Sequence, residues 1–220
     1  MIKIDKPNNL FGIDNDERNF YSYSPKVLEF LSYIANKYFY VVKDSTVLEI
    51  GPATGWFTHT LDKCNPSKIV SVERYDDFFM ELSQIFSTNS KIELINDDIF
   101  YYLMHNKPQY DVVVALGVIY HFTDPIGLLE KIVNYSKPKY IILDSPDSML
   151  DIVEEPGNPG DRQTEQGYVS SCLSVVVPVE TQKKVLENYG YSLIKHEELG
   201  RFDIQSKEQS TIMLFEKNTK

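Results

Sequence analysis

The chain has few cysteines, and their placement excludes two kinds of small stabilised domain. Only Cys64 and Cys172 occur among 220 residues, which is too few for a disulfide framework. Neither belongs to a CxxC motif or a Cys/His cluster, so the sequence predicts no metal site. Sparse cysteine is typical of a reducing compartment, and we therefore expect a cytoplasmic protein.

Basic residues are scarce as well. The 22 Lys and Arg residues stand against 32 Asp and Glu residues, which gives a formal net charge of −10. No lysine-rich cluster is visible, and arginine occurs only four times. Because phosphate neutralisation supplies much of the affinity of nucleic-acid binders, this composition disfavours a nucleic-acid partner. A small-molecule substrate is the expectation that remains.

Long apolar runs are also absent. No stretch of about 18 apolar residues predicts a membrane span, and the polar start MIKIDKPNNLFGIDNDERNF lacks the apolar centre of a secretion signal. The composition is that of an ordinary globular protein, with 42% hydrophobic and 25% charged residues. A chain of this length is expected to fold as one domain with a full-sized core.

Short β-rich runs alternate with helix-length segments along most of the chain. An amphipathic helix is predicted after Ser24-Pro25, a pair typical of a helix N-terminus. The strands predicted after it are 46–50, 68–73, 92–96, 111–115 and 140–144. The helices predicted between them are 55–62, 76–86, 100–104 and 125–135. Runs such as VVVAL and YIILD are apolar on both faces, so the pattern predicts a doubly wound α/β sheet of mostly parallel strands.

The end of the chain breaks this alternation. A predicted helix over 179–189 precedes two further strands, 191–198 and 211–216, whose polar connection has little helical patterning. A parallel crossover usually needs a helix, so a hairpin is predicted instead. The last of seven strands would then be antiparallel to its neighbour.

Residues 145–177 are irregular and rich in proline, glycine and charge. A loop of this length that leaves the carboxyl end of a strand is predicted to be a lid-like insertion over a ligand site. The expected organisation is an N-terminal segment and helix over 1–45, followed by one domain over 46–220 that contains the insertion.

The run VLEIGPATGWFT joins the first predicted strand to the next helix through a glycine-rich turn. Such a turn brings backbone N–H groups and a helix N-terminus close to a ligand. The dinucleotide pattern GxGxxG is absent, because the spacing here is GxxxG and Glu49 stands two residues before the first glycine. An acidic turn favours a cationic ligand over a phosphate. A nucleotide-dependent oxidoreductase is therefore the weaker alternative.

The same run resembles motif I of the class I S-adenosylmethionine-dependent methyltransferases, acid-x-Gly-x-Gly-x-Gly. Glu49, Gly51 and Gly55 match this motif, and Ala53 replaces its middle glycine. The resemblance implies a Rossmann-like methyltransferase fold with S-adenosylmethionine as its cofactor. This cofactor carries an ammonium and a sulfonium group and no phosphate, in agreement with the acidic turn.

Two further strand ends extend the resemblance. Glu73 ends the run IVSVE and would bind the two ribose hydroxyls. A strand-end acid of this kind is expected to be exposed. Arg74, the next residue, is a further candidate for cofactor binding. In IELINDDIF, Asp98 would accept a hydrogen bond from the adenine amino group, while the backbone of Ile99 would contact the ring edge.

The fourth-strand string YDVVVALGVIYHFTDP is the most specific part of the resemblance. It implies that Leu116 and Gly117 lie beside the methionine moiety. Gly-Val-x-Tyr-His with a nearby Asp-Pro is similar to one branch of the class I enzymes, which includes tRNA wobble-uridine carboxymethyltransferases and many sugar and small-molecule methyltransferases. The carboxymethyl members use a carboxylated cofactor and carry an N-terminal extension and basic surfaces, which this sequence is not expected to share.

Candidate acceptor-facing residues follow from their positions. Tyr120 and His121 come after the fourth strand, where donor and acceptor must meet, and His121 is a candidate general base for a hydroxyl acceptor. Packing of the turn by these two side chains is the alternative, and it weighs more. Asp144, at the end of the fifth strand, is a second catalytic candidate or else a cap for the following turn.

The sequence therefore predicts methyl transfer to oxygen or nitrogen of a small-molecule or sugar-like acceptor. A tRNA-modifying (carboxy)methyltransferase and a non-catalytic cofactor-binding domain are the alternatives that stay open.

Overall fold

The computed structural model of the chain describes residues 1–5, 25–107, 109–146, 152–154, 173–200 and 209–219. Its strands are β1 (Thr46–Ile50), β2 (Lys68–Glu73), β3 (Ile92–Asn96), β4 (Val112–Ala115), β5 (Tyr140–Pro146), β6 (Ile152–Glu154), β7 (Leu173–Val175), β8 (Tyr191–Gly200) and β9 (Gln209–Lys217). Its α-helices are α1 (Pro25–Lys37), α2 (Trp56–Lys63), α3 (Asp76–Phe86), α4 (Ile99–Asn106), α5 (Pro125–Lys131) and α6 (Val179–Asn188). The 3-10 turns Phe39–Val41 and Ile119–His121 and the π-helical turn Ile132–Ser136 complete the helical elements of this part of the chain.

Seven strands form one sheet in the order β3-β2-β1-β4-β5-β9-β8. Neighbours from β3 to β5 are parallel, whereas β9 is antiparallel to both β5 and β8. The predicted doubly wound, mostly parallel sheet with an antiparallel last strand is confirmed. β6 and β7 form a separate antiparallel pair, which the sequence did not predict.

Adjacent strands β1 and β4 mark the point where the direction of winding reverses. β2 and β3 lie on one side of β1, whereas β4 and β5 lie on the other. The loops after β1 and β4 therefore leave the carboxyl edge of the sheet side by side. In open α/β sheets this is the position where ligands bind.

Both faces of the sheet are buried. Leu48 and Val113 belong to a hydrophobic cluster that includes residues of α4, α5 and α6. Their chain neighbours Val47 and Val112 belong to a second cluster, which includes residues of α1 and α2. Successive strand residues point to opposite faces of the sheet. Because both faces are covered, the residues on both faces must be apolar, and this explains the continuous hydrophobic runs.

Several predicted boundaries agree with the structure, and others need correction. β1, β2, β3 and α3 have the predicted bounds, but the helix predicted over 125–135 is α-helical only as far as Lys131 and continues as the π-helical turn. Much of the predicted insertion 145–177 lies outside the described residues, as do residues 6–24 of the predicted N-terminal segment, so the division of the chain stays a prediction. Within the described ranges, no helix is both long and apolar enough to cross a membrane.

Candidate active site

The loop between β1 and α2 has an unusual backbone. Gly51, Ala53 and Gly55 all have positive φ angles, of 63°, 47° and 82°. A Cβ atom on Gly51 would lie 2.5 Å from Cγ2 of Val118, in the loop after β4. The first glycine therefore lets the two loops at the reversal point touch. A Cβ on Gly55 would lie 2.8 Å from Cδ2 of Leu82, so the second glycine lets α3 pack against the start of α2.

Glu49 is buried beneath this loop, with 2% of its surface exposed. One carboxylate oxygen, Oε2, accepts hydrogen bonds from the hydroxyls of Thr58, at 2.7 Å, and Ser71, at 2.6 Å. The other oxygen, Oε1, is buried without a partner among the described residues. Burial raises the pKa of this carboxyl to about 7, the hydroxyl bonds oppose that shift, and the nearby negative charge of Glu73 adds to it.

Glu73 corrects an expectation, because it is not exposed. Only 4% of its surface is accessible. Its Oε2 accepts from the backbone N–H of Ala53 at 3.1 Å, and its Oε1 accepts from that of Tyr75 at 2.9 Å. Burial raises the pKa of this carboxyl, while backbone hydrogen bonds from Tyr75, Ala53 and Arg74 oppose the rise. The acid at the end of β2 is thus part of the structure of the glycine loop, which folds back over it.

The next two predicted cofactor-binding positions differ in exposure. Arg74 is exposed, and its guanidinium lies over the ring of Tyr75, 5.5 Å from the ring centroid. Asp98 is half-buried and caps α4, where Oδ1 accepts from the backbone N–H groups of Phe100 at 2.9 Å and Tyr101 at 3.3 Å. No described residue donates a hydrogen bond to its second oxygen. Ile99 is buried in the core cluster beneath it.

The loop after β4 begins with one buried and one exposed residue. Leu116 is buried, whereas Gly117 is exposed and has a φ of 70°. The backbone N–H of Gly117 donates to Oδ1 of Asp144 at 2.6 Å. The other oxygen of Asp144 accepts from the hydroxyl of Ser210 at 3.2 Å. The structure therefore brings two predicted site residues, Gly117 and Asp144, into direct contact.

Tyr120 and His121 lie on the 3-10 turn Ile119–His121, and both are half-buried. Their ring centroids are 4.4 Å apart, and the backbone N–H of His121 donates to the carbonyl of Val118 at 3.0 Å. β7 lies beside this turn. The end of the predicted insertion that leads back to the sheet therefore contacts the turn for which the sequence predicts a role at the acceptor.

Sequence reasoning missed several partners of these acids. Thr58 and Ser71 hold Glu49, and Ser210 contacts Asp144. Ser71 is a lone hydroxyl in the apolar run KIVSVE, which is a signal for a buried hydrogen-bond partner, and in the structure it lies in register with Glu49 on the next strand. Among the described residues, no group of three or more His, Cys, Asp or Glu residues could hold a metal ion.

Comparison with known proteins agrees with this geometry. A family model described as a methyltransferase domain matches residues 16–203. The tRNA U34 carboxymethyltransferase of Trichodesmium erythraeum (strain IMS101) is 29% identical over 121 residues, which make up 54% of this chain and 34% of that protein. The chain thus spans about a third of the length of this relative.

Solved structures share the fold at low sequence identity. A putative S-adenosylmethionine-dependent methyltransferase from Listeria monocytogenes has a TM-score of 0.62 and 13% identity, with 86% of this chain and 98% of that chain covered. The magnesium protoporphyrin IX methyltransferase of Synechocystis PCC 6803, with bound SAH, has a TM-score of 0.60 and 12% identity, with 88% and 82% covered. The chain therefore belongs to the methyltransferase-domain family, and its seven-stranded sheet with an antiparallel last strand is the Rossmann-like methyltransferase fold.

Proposed function

We propose that this chain transfers a methyl group from S-adenosylmethionine to an oxygen or nitrogen atom of a small-molecule or sugar-like acceptor. The observation that carries the proposal is the pair of buried carboxyls, Glu49 and Glu73, beside the glycine loop. Among the described residues, no Lys or Arg lies within 4.0 Å of either carboxylate, although the positive charge of Arg74 acts on Glu73 from a greater distance. Buried acids without a paired cation are costly unless a ligand or a proton neutralises them. A site of this kind favours a cationic ligand and disfavours a pyrophosphate.

Each part of the cofactor has a candidate partner in this site. Glu73 has acceptor capacity left for a ribose hydroxyl, because a carboxylate can accept about four hydrogen bonds and the backbone N–H groups of Ala53, Tyr75 and Arg74 account for at most three. Asp98 keeps one oxygen for the adenine amino group. Gly117 is exposed, and a Cβ there would have only the Tyr120 hydroxyl, at 3.9 Å, within reach. The backbone at Gly117 therefore leaves room for the methionine moiety.

When bound, S-adenosylmethionine supplies a methyl group that its sulfonium already activates. The residues of the chain would then align the acceptor with that group and exclude water. A hydroxyl acceptor additionally needs a group that takes its proton. His121 is our candidate for this role, because it lies in the loop 116–124, four residues after Gly117.

The charges of the described residues favour a small acceptor over tRNA. The loops at the carboxyl edge of the sheet contain Arg74 as their only Lys or Arg residue within the described ranges. Lysines gather instead at the amino edge, at Lys63, Lys68, Lys91, Lys107, Lys137 and Lys139. A polyanion that approaches the site would therefore find little positive charge in this part of the chain.

A tRNA-modifying (carboxy)methyltransferase is the second candidate, and the relative from Trichodesmium erythraeum favours it. A carboxylated cofactor would bring an additional negative charge close to the transferred group. Arg74 lies at the ribose end of the proposed site, and no Lys or Arg of the described loop 116–124 could balance that charge. This observation supports methyl transfer over carboxymethyl transfer.

Calorimetry and label transfer test the proposal together. The chain should bind S-adenosylmethionine and its demethylated product with micromolar affinity and should not bind NAD. It should then transfer a labelled methyl group to a member of a panel of hydroxyl- and amine-bearing small molecules and not to total tRNA. Binding of NAD alone would overturn the cofactor assignment, and transfer to tRNA would establish the second candidate. Cofactor binding without transfer to any acceptor would indicate a non-catalytic domain.

A further inference from the structure

Asp144 lies where the hydrogen-bonded ladder between β4 and β5 ends. The last paired residues of these strands are Ala115 and Leu143. One residue further along β5, the side chain of Asp144 accepts from the backbone N–H of Gly117, with 2.6 Å between Oδ1 and N. A side chain thus extends the pairing after the two backbones have separated.

Gly117 needs such a support, because packing does not hold it. Its φ of 70° lies in the left-handed region, and a Cβ at this position would meet only the Tyr120 hydroxyl, at 3.9 Å. Gly51, in contrast, is fixed by Val118 at a distance where a Cβ could not fit. A glycine in open space has many accessible conformations. The bond to Asp144 selects one of them.

The second oxygen of Asp144 connects the same loop to β9. Oδ2 accepts from the hydroxyl of Ser210 at 3.2 Å, and that hydroxyl also lies 3.2 Å from the carbonyl of Ser145. One carboxylate thereby joins the loop after β4 to β5 and β9. The same loop leads through Val118 to the turn that carries Tyr120 and His121.

We infer that Asp144 is a positioning residue, which fixes Gly117 and with it the acceptor-facing turn, and is not the group that takes the proton from the acceptor. The inference rests on the proposed function for its catalytic consequence, although the hydrogen bond itself does not. Oδ1 of the carboxylate already accepts from the backbone N–H of Gly117, and Oδ2 lies within hydrogen-bond distance of the Ser210 hydroxyl, whose single proton it shares with the carbonyl of Ser145. A residue that positions Gly117 has to accept a hydrogen bond, and it does not have to take up a proton.

Asp144→Asn separates the two roles. An amide oxygen can still accept from Gly117, but an amide cannot take up a proton. We expect Asp144→Asn to keep the affinity for S-adenosylhomocysteine within about threefold of wild type, whereas Asp144→Ala should lose about 10- to 100-fold, the scale for a lost hydrogen bond to a charged group. Ser210→Ala leaves the bond to Gly117 in place and serves as the matched control, with a loss of about threefold or less.

Amide hydrogen exchange of Gly117 provides a readout that needs no ligand. In the free protein, exchange at Gly117 should accelerate about tenfold or more in Asp144→Ala and should stay close to wild type in Asp144→Asn. If Asp144→Asn loses methyl transfer as fully as Asp144→Ala while both keep wild-type affinity, the inference is overturned in favour of a base. Unchanged exchange in Asp144→Ala would also overturn it. If wild type fails to bind S-adenosylhomocysteine while the exchange result holds, the proposed function fails and the positioning of Gly117 stands.

Discussion

The carboxylate of Glu73 accepts a hydrogen bond from the backbone N–H of Ala53, with 3.1 Å between Oε2 and N. Ala53 has a φ of 47°, which is unfavourable for a residue with a Cβ atom. The bond therefore holds the glycine loop in a conformation that it would not adopt readily by itself. The residue that the family resemblance assigns to the ribose is at the same time a structural support of the motif before it.

Glu73→Ala should therefore reduce both cofactor affinity and stability. We expect the affinity for S-adenosylhomocysteine to fall by about 1–3 kcal/mol, because the ribose loses its charged acceptor. The free energy of unfolding should also fall by about 1–3 kcal/mol, because the part-buried backbone N–H groups of Ala53 and Tyr75 lose their partner. Calorimetry and urea denaturation measure the two effects.

Glu73→Gln is the control for this prediction. The amide oxygen can accept one of the two backbone bonds, so stability should recover in part while affinity stays low. A variant Glu73→Ala with wild-type stability would show that the bonds to Ala53 and Tyr75 contribute nothing.

Cofactor affinity should depend on the ionisation of Glu49. In the ligand-free protein, burial raises the pKa of this carboxyl to about 7, so at pH 6 it is mostly protonated. A cationic ligand favours the ionised form and lowers that pKa, which means that binding below neutrality releases a proton. The affinity for S-adenosylmethionine should fall about tenfold from pH 8 to pH 6 and level off above pH 8.

Glu49→Gln should remove most of this pH dependence. The amide oxygen can still accept from Thr58 and Ser71, so the fold is retained, but the neutral side chain offers the cation no charge at any pH. Calorimetry in buffers of different ionisation enthalpy would detect the released proton directly. A wild-type affinity that does not change between pH 6 and pH 8 would contradict the assignment.

Gly51→Ala should destabilise the junction of the two site loops. Its Cβ would lie 2.5 Å from Cγ2 of Val118, and the backbone has a φ of 63°. The overpacking should cost about 1–3 kcal/mol and the strained backbone about 1–2 kcal/mol more. The added substitution Val118→Ala removes Cγ2 but keeps a Cβ at 3.2 Å, so it should recover most of the first contribution and none of the second, which a double-mutant cycle with urea denaturation would measure.

Gly117→Ala is the matched comparison for Gly51→Ala. Gly117 has a similar φ of 70°, but a Cβ there would meet only the Tyr120 hydroxyl at 3.9 Å. It should therefore show the strain of about 1–2 kcal/mol without the overpacking. Equal losses for the two alanine variants would mean that Val118 moves aside freely.

Much of the fold could be predicted from the sequence, because its signals are local. The runs that form β1, β2 and β3 are apolar and bounded by turn residues, and the short polar connection before β9 made a hairpin the simplest path. The burial of Glu73 could not be predicted in the same way. An acid at a strand end is solvated unless the following loop folds back over it, and that depends on contacts between distant residues.

The bond between Gly117 and Asp144 illustrates the same limit. These residues are 27 positions apart in the chain, and the sequence places each at the site for a separate reason. Only the pairing of β4 with β5 brings them together. Similarly, β6 and β7 are three residues each, too short for a periodic pattern that could distinguish them from a loop.

His121 remains the candidate base, and its substitution also reports on the type of acceptor. If the acceptor is a hydroxyl, His121→Asn or His121→Ala should lower turnover by about 10²- to 10⁴-fold, the usual scale for loss of a general base. Affinity for S-adenosylhomocysteine should hardly change, because the proposed role of His121 is toward the acceptor and not toward the cofactor. In wild type, turnover should fall at acidic pH, since a protonated imidazole cannot accept a further proton; the residual turnover of the variants should not show that fall.

With an amine acceptor, which depends less on a general base, the loss of turnover in the His121 variants should be small. Full turnover of His121→Ala on a hydroxyl acceptor, with normal cofactor binding, would leave Tyr120 and His121 as packing residues of the turn.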